Sequence, residues 1–434
     1  MPYSSQTQLN SDGEATLVNL SRGNYKTLGL AALGGGLEVY DFVIFVFFSL
    51  TISKLFFPPE TPQWLSLLQS FGFFAAGYLV RPLGGMVMAH YADTVGRKSV
   101  FSLSILMMSL PCLAIGLMPT YGEIGYTAPL LLLVFRIVQG AAVGGEVPSA
   151  WVFVSEHTPP HRRGAALGIL QAGLTVGYLI GALVASAVAK IFSPQEVLDY
   201  AWRLPFILGG LFGVVGIWLR RSLDETPIFM ALEGRTRSRQ VMPLRTILSQ
   251  YRGAILPAVI TTAVLTTAVI VVVVITPVLM QQAFKIGAGD AFALTGLAIL
   301  FLNIGCVLAG WMVDRIGSWR TFLIFSFLLP VGAAVLYIAL IYDYGLVPLA
   351  IAYSIAGLCC GVVGAAPSIM VELFPADIRV SGISLTYNVT YAIWASAMPL
   401  MLIALTPWSE WSCVALALIV GIAGVATALF YMRR

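Results

Sequence analysis

The chain is 434 residues long, 59% hydrophobic and only 10% charged, with a mean hydropathy of +0.89. Soluble domains carry roughly 25% charged residues, so the charge needed to cover a water-facing surface is missing, and soluble domains, disordered tails and disulfide scaffolds are excluded. A net charge of +4 with scattered basic residues argues against nucleic acid as a partner and leaves a polytopic helical protein of the lipid bilayer.

Residues 1–27 are polar, with no apolar segment and no small-residue cleavage site, so they predict a cytoplasmic tail rather than a removable signal peptide. Apolar runs long enough to cross a bilayer follow at Leu28–Phe57, Trp64–Tyr91, Ser99–Met118, Thr127–Ser155, Gly164–Ile191 and Arg203–Leu219. The stretch from Arg220 to Arg252 holds seven Arg against Asp224, Glu225 and Glu233, which marks a linker. Six more runs come at Gly253–Gln282, Ala291–Val313, Trp319–Tyr342, Gly345–Leu373, Val380–Thr406 and Trp411–Met432. The expected fold is all-α, with twelve transmembrane helices in two six-helix bundles, 28–219 and 253–434, joined by the cytoplasmic linker 220–252. With both termini inside, the cytoplasmic segments hold 18 Lys and Arg against four outside, which fixes the expected orientation.

Cys112, Cys306, Cys359, Cys360 and Cys413 all lie in apolar stretches without metal spacing and are expected to be inert packing residues. Gly173, Gly177 and Gly181 in the fifth span have the spacing of helix–helix packing, not of a nucleotide motif. His157 and His161 are four apart but separated by two prolines, so no helix presents them as a zinc pair and no metal is expected.

An ionisable group near mid-bilayer costs at least about 2.5–3.5 kcal/mol on insertion scales, and the sequence offers few. Glu38 and Asp41 lie in the first span, Arg81 in the second, Arg136 and Glu146 in the fourth, and the six spans of the second half carry none between their ends. At 1.5 Å per residue, Glu38, Asp41 and Arg136 fall roughly 13–20 Å from the start of their spans, near the midplane. Arg81 and Glu146 fall in the cytoplasmic half.

The two halves repeat. Glu156 to Arg163 matches Glu372 to Arg379, 216 residues later, with Pro three and Arg seven residues beyond each Glu. The run Asp93-Thr-Val-Gly96-Arg97 returns as Asp314-Arg315-Ile-Gly317, displaced by 221. Two matches at nearly one displacement imply duplicated, pseudo-symmetric bundles.

These loops, with Glu38-Val-Tyr40-Asp41-Phe42, Arg81-Pro-Leu-Gly-Gly85, Arg136-Ile-Val-Gln139-Gly140 through Gly145-Glu146, Trp202-Arg203-Leu-Pro205-Phe206, Glu225-Thr-Pro227 and Glu372-Leu-Phe-Pro375, resemble the major facilitator superfamily. More narrowly they resemble its metabolite:proton symporter branch, carriers of citrate, 2-oxoglutarate, shikimate and proline or betaine, with departures at Val39, Ala89 and Thr94. The resemblance implies a bacterial inner-membrane secondary transporter working by alternating access, driven by the proton gradient and needing no cofactor. The chain is expected to be monomeric and not an enzyme: it has neither His-Glu-x-x-His nor Gly-x-Ser-x-Gly.

Burial disfavours an ionised carboxylate and a neighbouring guanidinium favours it, so a mid-membrane pair can change protonation as water access alternates. Asp41 or Glu38 is therefore expected to take the proton with Arg136 as charge partner, while Glu146 with Arg81 suits a gate or a second coupling pair. Candidate substrate residues are Tyr40, Arg81, Arg136, Gln139 and Gln171 from the first half, and Asn303, Tyr387, Asn388, Tyr391 and Trp394 from the second. The resemblance implies a cytoplasmic latch built from Asp93, Gly96, Arg97, Glu156, Arg163, Asp314, Arg315, Gly317, Glu372 and Arg379. Import of an organic carboxylate is the leading expectation. The alternatives are symport of a zwitterionic osmolyte or amino-acid-like solute and proton-antiport export of amphipathic compounds. The fifth span lacks the Gly-Pro pair of resembling antiporters.

Overall fold

The computed structural model describes residues 35–37, 39–95, 97–221, 249–376 and 378–433. The spans are numbered in chain order. α1 runs Gly35–Phe47 and bends by 57° into Ser49–Leu55. α2 is Gln63–Val95, α3 Arg97–Leu117, and α4 runs Thr127–Ala142, through a 3₁₀ turn at Val143–Gly145, to Glu146–His157. α5 is Arg163–Ile191, and α6 starts at Pro194–Ala201 and bends by 47° into the helix Arg203–Arg221. In the second half α7 is Arg252–Gln282, α8 Ala288–Ile316, α9 Ser318–Ile341, α10 Leu346–Cys359 with Val362–Leu373, α11 Arg379–Leu405 and α12 Ser412–Met432.

Among the described residues nine of these are single helices long and apolar enough to cross a membrane, the two bent pairs count as one span each, and the apolar part of α3, Leu103–Leu117, is shorter. Helices are the form this composition dictates, because a segment in lipid must satisfy its own backbone donors and acceptors. Small residues let the helices approach: a Cβ on Gly140 of α4 would overlap the Gly77 carbonyl of α2, and one on Gly144 would overlap the backbone of Arg81 and Gly85. The Gly177 backbone of α5 likewise lies against Gly36 and Tyr40 of α1, the packing role expected of the fifth-span glycines.

α7 is the most buried of the straight spans, with 89% of its apolar window inside the protein. Its middle, Ile270–Ile275, is a π-helical segment. The two halves meet chiefly where α5 lies along α8 and α2 along α11. All five cysteines are buried and free. The expected tail, the start of the first span and most of the linker, residues 1–34 and 222–248, lie outside the described residues.

Candidate functional site

A polar cluster lies inside the first half. Asp41 of α1 is only 3% exposed, and its Oδ1 has no hydrogen-bond partner among the described residues. Its carboxylate and the Cys112 thiol of α3 both lie against Gly209 of α6, in the volume that a single Cβ there would fill. Neighbouring Tyr40 turns away: its hydroxyl donates to the Pro205 carbonyl at 2.8 Å, and its ring meets Phe212 edge-on at 4.9 Å.

Arg136 of α4 is fully buried. Its guanidinium carbon sits 4.2 Å from the Phe42 ring centroid and 4.3 Å from that of Phe45, contacts that recover part of the cost of burying the charge. Nη1 donates to Gln139 Oε1 at 2.9 Å, and Gln139 Nε2 in turn donates to the Met108 carbonyl at 3.2 Å. Nε and Nη2 have no hydrogen-bond partner among the described residues. Asp41 and Arg136 are not ion-paired; the direct pair expected from sequence is replaced by an arrangement in which Cys112 lies within electrostatic reach of both. Glu38 lies outside the described residues, as does the side chain of Glu146.

A second cluster forms a seam between the halves. Arg81 of α2 is buried, its guanidinium carbon 5.3 Å from the Tyr78 ring centroid and 5.1 Å from that of Tyr391 in α11. Tyr391 continues to Tyr387 at 5.2 Å, and Tyr387 meets Trp151 of α4 edge-on at 4.9 Å. Trp151 Nε1 donates to Gln171 Oε1 at 3.0 Å. Asn388 Nδ2 donates to the Gly144 carbonyl of α4 and to Ser384 Oγ, while its buried Oδ1 has no partner among the described residues. Thr175 of α5 donates to Asn303 Oδ1 of α8 at 2.6 Å, and Trp394 Nε1 donates to Thr267 of α7 at 2.9 Å.

The sequence reading thus named Arg81, Tyr387, Asn388 and Tyr391, which the fold brings together. It missed Tyr78, Trp151, Thr175 and Cys112. Tyr78 stood one turn before Arg81 on the same helix face, the signal that could have found it. Asn303 and Gln171 sit within the seam in bonds to other side chains, Trp394 bonds to Thr267 within the second half, and Tyr40 and Gln139 belong to the first cluster.

At the end of the molecule that the Lys and Arg count assigns to the cytoplasm, Asp314 closes the α8–α5 contact. Its Oδ1 accepts from the Gly164 amide at 2.7 Å and its Oδ2 from the Ala165 amide at 2.8 Å. Those are free amides at the start of α5, where a carboxylate is favoured by the helix dipole. Gly164 also lies against Gly310, too close for a side chain on either. Arg379 Nη1 meets Glu156 Oε1 at 3.1 Å across the halves, and Arg163 lies within electrostatic reach of Glu372. Glu372 Oε2 accepts from Ser318 at 2.5 Å, and Arg163 Nε donates to the Ser155 carbonyl at 2.9 Å. Gly317 turns the chain at φ +92°, a conformation glycine adopts without strain. Arg315 instead lies over the Trp311 ring, 4.1 Å from its centroid. Gly96, and the side chains of Asp93 and Arg97, lie outside the described residues. The opposite end is also closed along α5 and α8, by Ser186 donating to the Gly289 carbonyl at 2.9 Å and by Lys190 and Asp290 at 3.4 Å.

Two helical halves meeting around buried arginines, aromatics and amides are the architecture of a small-molecule carrier, and the comparisons agree. Residues 32–399 match the Major Facilitator Superfamily. The Escherichia coli inner membrane metabolite transport protein YhjE is 28% identical over 401 residues, 91% of this chain and 90% of that one. The Escherichia coli proline/betaine transporter is 36% identical over 204 residues, 47% of this chain and 41% of that one. Among solved structures, the proton:xylose symporter XylE bound to 6-bromo-6-deoxy-D-glucose superposes with a TM-score of 0.74 at 16% identity, covering 94% of this chain and 95% of that one, a likeness of fold alone. The chain is a multi-pass membrane transport protein, not an enzyme, and it belongs to the major facilitator superfamily.

Proposed function

We propose that the protein is a proton-coupled symporter of the bacterial inner membrane, with both termini cytoplasmic, that imports a small polar solute bearing a carboxylate. The observation that carries this reading is Arg136, buried without an ion-paired carboxylate among the described residues and with Nε and Nη2 unpartnered. A substrate carboxylate would satisfy those donors in the planar, two-point manner that guanidinium favours. Asp41 is buried apart from it, so it can gain and lose a proton without first breaking an ion pair. The Arg81–Tyr391–Tyr387 seam and Asn388 would contact the rest of the solute, and the crossing pairs at the Asp314 end would release as the carrier opens there. One proton entering down 100 mV supplies about 2.3 kcal/mol, enough for roughly fifty-fold accumulation of a neutral solute.

An organic acid fits this arrangement, and a carboxylate-bearing zwitterion fits it too. The second reading is favoured by the proline/betaine transporter among the relatives. The test is uptake of labelled citrate, 2-oxoglutarate, shikimate, proline and glycine betaine into proteoliposomes under an imposed inward proton gradient. Stimulated uptake of at least one is expected, and Asp41→Asn should abolish its uphill accumulation while downhill exchange continues. No gradient-stimulated uptake of any of the five defeats symport, and full accumulation by the Asn variant moves the proton site away from Asp41.

A further inference from the structure

Asp41, as the proton carrier proposed above, needs a neighbour that holds its carboxylate. The first-half cluster supplies a candidate in Cys112. Asp41 is 97% buried, the complement of its 3% exposure, and Oδ1 has no hydrogen-bond partner among the described residues. A buried polar atom in that condition is costly unless a neighbour can serve it. The side chain beside it is the Cys112 thiol, itself wholly buried, and the two meet because α6 presents Gly209 at the point where α1 and α3 converge. A Cβ at Gly209 would overlap both the carboxylate and the thiol, with Tyr40 Cε1 at 3.3 Å, so only glycine leaves room for the contact.

Among the described residues the surroundings offer no stronger partner. From α1, the Tyr40 hydroxyl is committed to the Pro205 carbonyl. From α4, Arg136 is engaged with Gln139 and the Phe42 and Phe45 rings and does not ion-pair with Asp41. From α6 come glycine and the apolar Phe206 and Phe212. Glu38 lies outside the described residues. Cys112 also lies within electrostatic reach of Arg136.

We infer that Cys112 is a positioning residue of the proton site: its thiol donates to the ionised Asp41 carboxylate and turns to accept from the carboxyl once the proton has arrived. A thiol is a weak donor and a weak acceptor, able to serve both protonation states without locking either. That property suits a group that must load and unload in each cycle better than a permanent cation would. The inference rests on Asp41 being the proton carrier.

The experiment is a pH titration of the carboxyl C=O infrared band in purified wild-type protein, Asp41→Asn, Cys112→Ala and Cys112→Ser, each checked for an unchanged melting temperature and retained helicity. It needs no substrate and so does not depend on transport by any variant. A band that titrates in the wild type and is lost in Asp41→Asn identifies the Asp41 carboxyl. Loss of the thiol donor in Cys112→Ala should move its midpoint upward by about 0.5–1 pH unit, as expected for removing one weak hydrogen bond from the ionised form. Cys112→Ser, whose hydroxyl can also donate and accept, should return the midpoint toward or below that of the wild type. An unmoved midpoint in Cys112→Ala overturns the role of the thiol alone, and so does an equal shift in Ala and Ser, which would be a packing effect. Absence of any Asp41-dependent band overturns the proton reading and this inference with it.

Discussion

A guanidinium wholly removed from solvent needs its five N–H donors and its charge accommodated, and Arg136 has this done by unusual partners. Three phenylalanine rings, Phe42, Phe45 and Phe74, and one amide oxygen serve it, while Nε and Nη2 remain unpartnered among the described residues. Lysine could keep the charge but would lose the planar fork and the stacking on Phe42 and Phe45. Arg136→Lys is therefore expected to cut initial uptake by about 10–100-fold, the equivalent of one charge-assisted hydrogen bond at 1.5–3 kcal/mol. The loss should fall with little change in melting temperature, and wild-type uptake by that variant would remove Arg136 from the substrate path. At this scale Asp41 and Arg136 were legible in the sequence because charges inside apolar runs are expensive and so conspicuous. Cys112 and Gly209 were not, since a thiol and a glycine in an apolar helix read as packing residues. Nor did sequence disclose that Asp41 and Arg136 sit apart, because two positions at similar depth on different helices carry no information about rotation around their axes.

Because the width of the bilayer fixes where a helix must begin and end, element boundaries follow the apolar runs within four residues wherever the ends are described, except at α6, whose first piece, Pro194–Ala201, precedes its run. What happens inside an apolar run was hidden. Ile270-Val-Val-Val-Val-Ile275 reads as an ordinary buried stretch, yet it is π-helical. Such a segment frees carbonyls from the regular ladder, and here side-chain hydroxyls, one from another helix and one from α7 itself, serve two of them. The Tyr353 hydroxyl of α10 donates to the Val272 carbonyl and lies 3.3 Å from Thr295 of α8, while Thr276 Oγ1 donates to the Val271 carbonyl and meets Tyr337 of α9 at 3.2 Å. One hydroxyl thus ties three spans of the second half together around its most buried helix. Tyr353→Phe keeps the ring and removes that tie, at an expected cost of about 1–3 kcal/mol for the buried carbonyl left behind. Thermal denaturation in detergent should show a lower melting temperature, and Thr295→Val in the Phe background should add less than it does alone. An unchanged melting temperature would mean that the π segment does not rely on Tyr353.

Across the whole molecule the duplicated loops acquire a meaning that neither has alone. Glu156 and Arg163 in the first half correspond to Glu372 and Arg379 in the second, and the relations across the halves are reciprocal: Glu156 pairs with Arg379, whereas Arg163 lies only within electrostatic reach of Glu372 and forms no ion pair with it. Duplication followed by two-fold assembly produces such reciprocal pairing, and a single pair at one end can bias an equilibrium between openings at opposite faces. The Arg379–Glu156 side chains are 21% and 40% exposed, so solvent screening limits the pair to about 1 kcal/mol or less. Arg379→Glu would remove that attraction and set two carboxylates face to face, while Asp314 still caps α5. The expected outcome is a shift of up to about five-fold toward opening at that end, the equilibrium equivalent of 1 kcal/mol. Distances between spin labels on the loops of the two halves would measure it. Glu156→Arg together with Arg379→Glu should restore the wild-type distribution, because the reversed pair has the same geometry and attraction. At the opposite end, Lys190→Glu would set like charges against Asp290 and should shift the same distribution the other way. If the double reversal stays as open as the single variant, the crossing pair is only a pair of solvated loop charges; if the Lys190 change shifts the distribution in the same direction, the two ends are not coupled through one equilibrium.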